Sequence, residues 1–373
     1  MLERCSSCIL PANLPGIDLD ENGKCTLCRK GVVNRNDKPH FSRDQLEGRL
    51  QAIITGLRGK GKYDCLVPLS GGKDSSYVLH VAVKKYDLKV LAYNFDNGFQ
   101  HPQAVKNMRT LVNDLGVDLL VYRPNPHMMR KLFRTFLCKA GEFCTPCNML
   151  ISATKFRLAR QNGIKAIMEG TSNSLDPGIG GISPALYFDR KYYFEVAKGL
   201  LTNREKGYYV VPPYTFTALR RLTGLAPQTI DVLNYLNPSF AEIEETLRGI
   251  GWERPHGAMQ HGDCLLDPLK DYIIYKKWGC SELTGLYSCL VRNGEMTREK
   301  ALKEALAKEQ SGPPAILPEF LKAVGMTEAE FQDALRKDFR DIPNMRQTFY
   351  FRLAKKVVKK AAKIRGRVYT QYE

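Results

Sequence analysis

One seven-residue stretch limits what this chain can be more than any other: Ser70-Gly71-Gly72-Lys73-Asp74-Ser75-Ser76. It follows the strand-like run Tyr63-Asp64-Cys65-Leu66-Val67-Pro68-Leu69 and opens a helical pattern from about Ser75 to Lys85. Two adjacent glycines let the backbone turn tightly and bring its N–H groups close to a ligand, with no Cβ in the way. The helix behind them adds partial positive charge and unpaired N–H donors, which favour phosphate. Ser70, Ser75 and Ser76 offer hydroxyls and Lys73 offers charge. Neither GxxxxGK[ST] nor GxGxxG is present, which excludes a Walker A loop and a dinucleotide fingerprint.

The surrounding pattern alternates strand and helix. A second strand spans Lys89 to Phe95, a helix Pro102 to Leu115, and a third strand Asp118 to Tyr122. Another helix is expected at about 150–161 and a short fourth strand from Ala166 to Met168. Crossovers of this length suit parallel pairing, so an α/β domain with an open parallel sheet is expected over residues 36–225. Ligands on such sheets sit at the carboxyl ends of the strands. There the chain carries Asp96-Asn97-Gly98 and Glu169-Gly170-Thr171-Ser172-Asn173. Beyond residue 225 the spacing turns to helices, and 226–373 is expected to be a helical region with a basic C-terminal tail.

Residues 1–35 hold little apolar content and four cysteines in the order Cys5-x2-Cys8 and Cys25-x2-Cys28. Two such pairs can complete a thiolate tetrahedron around zinc, so a closed, structural Zn²⁺ site of ribbon type is expected. Metal affinity would supply the folding energy that a unit of this size lacks. A second group, Cys144-Thr145-Pro146-Cys147, has Cys138 nearby in sequence and Cys264 as a further candidate. Three readings stand side by side for it: sulfur carriage by persulfide or iron–sulfur cluster, a structural metal, or thiols packed at a helix start.

Charge separates the chain further. There are 56 Lys+Arg against 39 Asp+Glu, a formal +17, and eight basic residues with no acid lie between Arg352 and Arg367. That segment reads as a basic amphipathic helix, a docking surface for an acidic partner before it reads as a nucleic-acid site. No apolar run approaches the roughly 18 residues a membrane span needs. The N-terminus does not read as a signal peptide, and clustered cysteines suit a reducing compartment, so a cytoplasmic location is expected.

The string Ser70 to Ser76 resembles the PP-loop of ATP pyrophosphatases, enzymes of the adenine nucleotide alpha hydrolase-like fold. That resemblance implies ATP bound by Ser70, Gly71, Gly72, Lys73, Asp74, Ser75, Ser76, Asp96, Gly170 and Thr171. It also implies Mg²⁺ held by Asp74 or Asp96, and Lys73, Asp74 and Ser75 assisting transfer of AMP. A wider resemblance covers residues 1 to about 340. Cys5-Ser6-Ser7-Cys8-Ile9-Leu10-Pro11, Asp20-Glu21-Asn22-Gly23-Lys24-Cys25-Thr26-Leu27-Cys28, the PP-loop and the Cys-x-Pro-Cys at 144–147 are similar to N-acetyl sugar amidotransferases of bacterial surface-polysaccharide and lipopolysaccharide pathways. So are Gly294 to Ala301 and Pro318 to Phe331. What this implies is conversion of an acetamido group on a nucleotide-linked sugar to an acetamidino group. Ammonia would come from separate glutaminase and channel subunits. The alternative is an ATP-dependent tRNA or nucleobase thiolase using Cys144, Cys147 and Cys264, since fold-level likeness does not choose between nitrogen and sulfur.

Overall fold

A computed structural model describes residues 2–30, 42–172, 189–212, 226–255 and 262–343, together with Leu353 and Lys356. Its centre is a five-stranded, all-parallel sheet in the order β3-β2-β1-β4-β5. The strands are β1 (Cys65–Pro68), β2 (Val90–Phe95), β3 (Asp118–Tyr122), β4 (Ala166–Glu169) and β5 (Gln228–Asp231). Leu66 of β1 pairs with Leu91 on one side and Ile167 on the other, so β1 is central. The sheet therefore continues past residue 225, where the sequence pattern turns helical. β5 has only Ile230 as a clear apolar strand residue between Gln228 and Asp231, too weak a period to read.

Helices cover both faces, which is why β1 and β2 are apolar in nearly every position rather than alternating. Cys65 and Val67 face Leu50 and Ile54 of α2 (Arg43–Thr55) and Val78 and Leu79 of α3 (Lys73–His80), behind a short α1 (Thr26–Arg29). Leu66 faces the other way, toward Ala159 on the long helix α6 (Cys144–Gln161). α4 (Pro102–Leu115) completes the first face, and α5 (Pro126–Ala140) leads into α6. Two helix boundaries differ from expectation. α3 begins at Lys73 and widens at its end into a π-helical turn at Val81–Lys85, and α6 begins at Cys144 rather than near 150 because Pro146 sits in its first turn, where no backbone N–H is needed. α5 has no counterpart among the expected helices.

Then follow α7 (Arg190–Val196), α8 (Asn203–Tyr209), α9 (Val232–Leu236) and α10 (Phe240–Arg248). The C-terminal region adds α11 (Asp267–Trp278), α12 (Glu282–Arg292), α13 (Arg298–Glu309), α14 (Leu317–Val324) and α15 (Glu328–Leu335). Capping boxes start several of them: Ser239 with Glu242, and Thr327 with Glu330. An aromatic core joins this region to α5, with Phe143 and Phe320 rings 5.0 Å apart and Phe133 6.0 Å from Phe143. The N-terminal unit docks on the same region. Leu10, Leu14 and Ile17 pack with Ile274, Trp278 and Cys280, and the nearly buried Arg4 pairs with Glu309 at 2.6 Å. The basic tail lies outside the described residues, apart from exposed and helical Leu353 and Lys356. No described helix is long and apolar enough to cross a membrane.

Candidate active site

The loop Ser70–Ser76 lies at the carboxyl end of β1, as expected. Gly71 takes φ +83°, and a Cβ there would stand 2.0 Å from the Ala104 carbonyl oxygen at the start of α4. Only glycine fits, on both counts. Ser70 and Ser75 hydroxyls lie 3.1 Å apart, Gly72 N–H donates to Ser70 Oγ at 3.3 Å, and Ser70 N–H donates to Ser75 Oγ at 3.2 Å. Lys73 is buried and its ammonium donates to the Asp74 carboxylate at 2.5 Å. A Cβ on Gly170 would lie 2.9 Å from the Asp74 backbone carbon, so the end of β4 closes directly on the loop. The Ser76 hydroxyl is fully buried and has no hydrogen-bond partner among the described residues, an orphaned donor of the kind a bound ligand would satisfy.

The structure brings Ser70, Gly71, Gly72, Lys73, Asp74, Ser75, Ser76 and Gly170 together. Asp96 is engaged elsewhere: its carboxylate accepts from Gly98 N–H at 2.8 Å and pairs with Arg123 at 3.3 Å. Thr171 is half-buried beside Gly170, and Asn173 lies outside the described residues. His256 and His261, two histidines that could serve as a general base, also lie outside them. His101 caps α4 through its Nδ1, which accepts from Gln103 N–H at 3.1 Å.

Several neighbours of the loop were not legible beforehand. The Gly71 carbonyl accepts from Trp252 Nε1 at 2.9 Å and Asn107 Nδ2 at 3.4 Å. The Asn107 amide also donates to the Glu253 carbonyl at 2.7 Å and accepts from Glu253 N–H at 3.1 Å. Almost fully buried Lys155 of α6 forms an ion pair with Glu169, the last residue of β4. None of these residues belongs to a motif, and only the strand-end position of Glu169 offered a signal.

The second cysteine group is partly assembled. Asn97 Nδ2 approaches Cys264 Sγ at 3.6 Å and Cys147 Sγ at 3.8 Å. Burial pushes the Cys147 and Cys144 thiols well up and Cys264 to about 11, so all three are protonated near neutrality. Cys144 lies near the Lys270 ammonium. Burial works against that charge, but Asp267 at 2.8 Å and Glu282 at 2.5 Å outweigh it and hold Lys270 well above the usual lysine range. Cys138 stands apart, toward Arg134 and Glu330.

The first cysteine group is compact. Cys5, Cys8, Cys25 and Cys28 place their sulfurs within 4.8 Å of one another, with Cys5–Cys28 at 3.8 Å and Cys8–Cys25 at 3.7 Å. Backbone N–H groups of Ser7, Cys8 and Cys25 point at Cys5 Sγ at 3.4, 3.4 and 3.2 Å. Contact with Cys25 pulls the Cys5 and Cys8 thiols down, Cys8 to about 6, and pushes Cys28 up. Four sulfurs this close could hold a metal ion, and the donor set fits tetrahedral coordination. Arg298 braces the unit, donating to the Cys8 carbonyl at 2.8 Å and the Cys5 carbonyl at 3.0 Å.

Residues 252–360 match the family described as LPS biosynthesis protein WbpG-like, C-terminal domain. The match begins at Trp252, the residue that holds the Gly71 carbonyl. The chain is also similar to the uncharacterized protein MJ1599 of Methanocaldococcus jannaschii, at 23% identity over 302 residues, 81% of this chain and 92% of that one. Among solved structures it is similar to NMN synthetase from Francisella tularensis (TM-score 0.36, 13% identity, 70% of this chain, 96% of that one). It is similar too to the U34-tRNA thiolase NcsA from Methanococcus maripaludis with its [4Fe-4S] cluster (TM-score 0.35, 12% identity, 88% and 90%).

Proposed function

We propose that this protein is an ATP-dependent amidotransferase acting on a nucleotide-linked acetamido sugar. The observation that carries the reading is the Ser70–Ser76 loop, with Gly71 pressed on Ala104, its serines cross-bonded, and a buried, unpaired Ser76 hydroxyl. The matched C-terminal family, with its link to LPS biosynthesis, supports the substrate class.

In the reaction, the amide oxygen of the sugar attacks the α-phosphorus of ATP and pyrophosphate leaves. Ammonia then adds to the activated carbon, AMP departs with the former amide oxygen, and after loss of protons C=NH stands where C=O was. The loop N–H groups and the α3 N-terminus would bind the departing pyrophosphate, while Lys73 offsets its charge. Asp74, freed from Lys73, would hold Mg²⁺, which shields the phosphates. The four N-terminal cysteines would hold a structural Zn²⁺. Ammonia is expected from glutaminase and channel subunits, and the basic tail offers a docking segment for an acidic partner of that kind.

Purified protein given ATP, ammonia and a sugar nucleotide should release AMP and pyrophosphate, and release of ADP would refute the reading. Asp74→Ala or Ser75→Ala should slow turnover by about a hundredfold or more.

A second reading, a tRNA or nucleobase thiolase, is supported by the approach of Cys147 and Cys264 to one Asn97 amide. There sulfur replaces ammonia as the nucleophile, carried as a persulfide or on an iron–sulfur cluster. Formation of AMP with RNA and a sulfide donor, and none with ammonia and sugar, would favour it.

A further inference from the structure

The segment around residues 262–265 crosses from the C-terminal region to the sheet and bonds antiparallel to the chain after β2. His101 N–H donates to the Asp263 carbonyl at 2.9 Å, and Leu265 N–H donates to the Phe99 carbonyl at 2.8 Å. Successive side chains on an extended segment leave it on opposite sides. Cys264 accordingly approaches Asn97, while Asp263 meets the nucleotide loop. A Cβ on Gly72 would lie 3.8 Å from both Cβ and Cγ of Asp263. The Asp263 side chain is half-buried and makes no hydrogen bond or ion pair among the described residues. Gly72 caps α3 and is where phosphate oxygens would meet free N–H donors. An unpaired carboxylate there repels phosphate, and the arrangement becomes favourable only with a cation between the two anions.

We propose that Asp263 is a ligand of the divalent cation that enters with ATP, supplied to the loop by the C-terminal region. This rests on the ATP-dependent reading above. Asp74, the other carboxylate at the loop, is bonded to Lys73, so Asp263 is the one free to receive the ion first. The same two residues, Asp263 and Cys264, then connect the nucleotide loop to the thiol pocket.

The test compares wild type with Asp263→Asn, which is nearly isosteric and leaves the backbone bonds of the segment in place. Affinity for α,β-methylene-ATP is measured with Mg²⁺ and with EDTA, and bound Mn²⁺ is counted by electron paramagnetic resonance in the presence of the analogue. The variant should bind the analogue at least as well as wild type in EDTA. It should lose about tenfold or more of the gain that Mg²⁺ gives wild type, with weaker Mn²⁺ binding. Asp263→Glu should recover part of that gain. An equal Mg²⁺ gain in wild type and Asp263→Asn overturns the proposal, whether the analogue binds both alike or binds the variant more tightly in both media. Wild type that binds no analogue in either medium overturns the nucleotide reading as well, which separates the two failures.

Discussion

Both cysteine groups contain a Cys-x2-Cys pair, yet the structure gives them opposite characters. At Cys5 and Cys8 the pair sits on a tight turn whose N–H groups point at the sulfur, and a second turn brings Cys25 and Cys28 within 4.8 Å. At Cys144 and Cys147 the pair opens helix α6, and an asparagine amide stands between Cys147 and the third sulfur, Cys264. Spacing alone therefore does not make a metal site. The backbone under the pair decides whether the sulfurs converge, and burial keeps the second group's thiols protonated.

The largest effect should come from the first group. Structural zinc contributes roughly 10–16 kcal/mol of apparent binding energy in small zinc-finger units, and that energy is folding energy. A Cys5→Ser, Cys25→Ser double variant should lose about one equivalent of zinc and become protease-sensitive through residues 2–30. Zinc content equal to wild type would erase the distinction between the groups.

The second group should matter far less to the nitrogen reaction. Cys264→Ala should keep ammonia-dependent AMP release within about threefold of wild type, a difference well under one decade of barrier. Anaerobically purified protein should be colourless; a brown chromophore, with activity lost in Cys147→Ala, would move the protein to sulfur chemistry.

The finest test is of protonation. Cys264, raised by burial from 9.0 to about 11, carries its proton at neutral pH, and only the thiolate is alkylated. Its iodoacetamide rate, followed by peptide mass spectrometry, should climb about tenfold per pH unit from pH 8 to 10. A rate that levels off below pH 9 would mean a thiol already ionised, and the contrast with Cys8 would be lost.

What the sequence conveyed depended on whether a feature was local. The glycine turn, the two N-terminal cysteine pairs and the apolar runs of β1 and β2 each carry their meaning within a few residues, and the structure keeps them. β5 failed because it is short and mostly polar between Gln228 and Asp231, and parallel pairing with β4 supplies what its composition lacks. Trp252, Asn107 and Asp263 are each ordinary in their local sequence. They matter because Trp252 returns to Gly71 from 181 positions away, Asp263 to Gly72 from 191, and Asn107 reaches Glu253 across 146, and no local period records that.

The strand order also bears on how the chain is made. β1 bonds to β2 through Leu66 and Leu91, 25 positions apart, and to β4 through Leu66 and Ile167, 101 positions apart. The longer closure costs only about 1 kcal/mol more in chain entropy, so stability is little affected. Time is another matter. A ribosome adding about 5–20 residues each second leaves one edge of β1 without its neighbour for about 5–20 seconds. In the later part of that interval, once β3 has been made, β1, β2 and β3 can form a three-stranded platform with one edge of β1 unpaired, open to pairing with another nascent chain. The glycine turn already hangs from that platform, while Trp252, which will fasten its carbonyl, has yet to be synthesised.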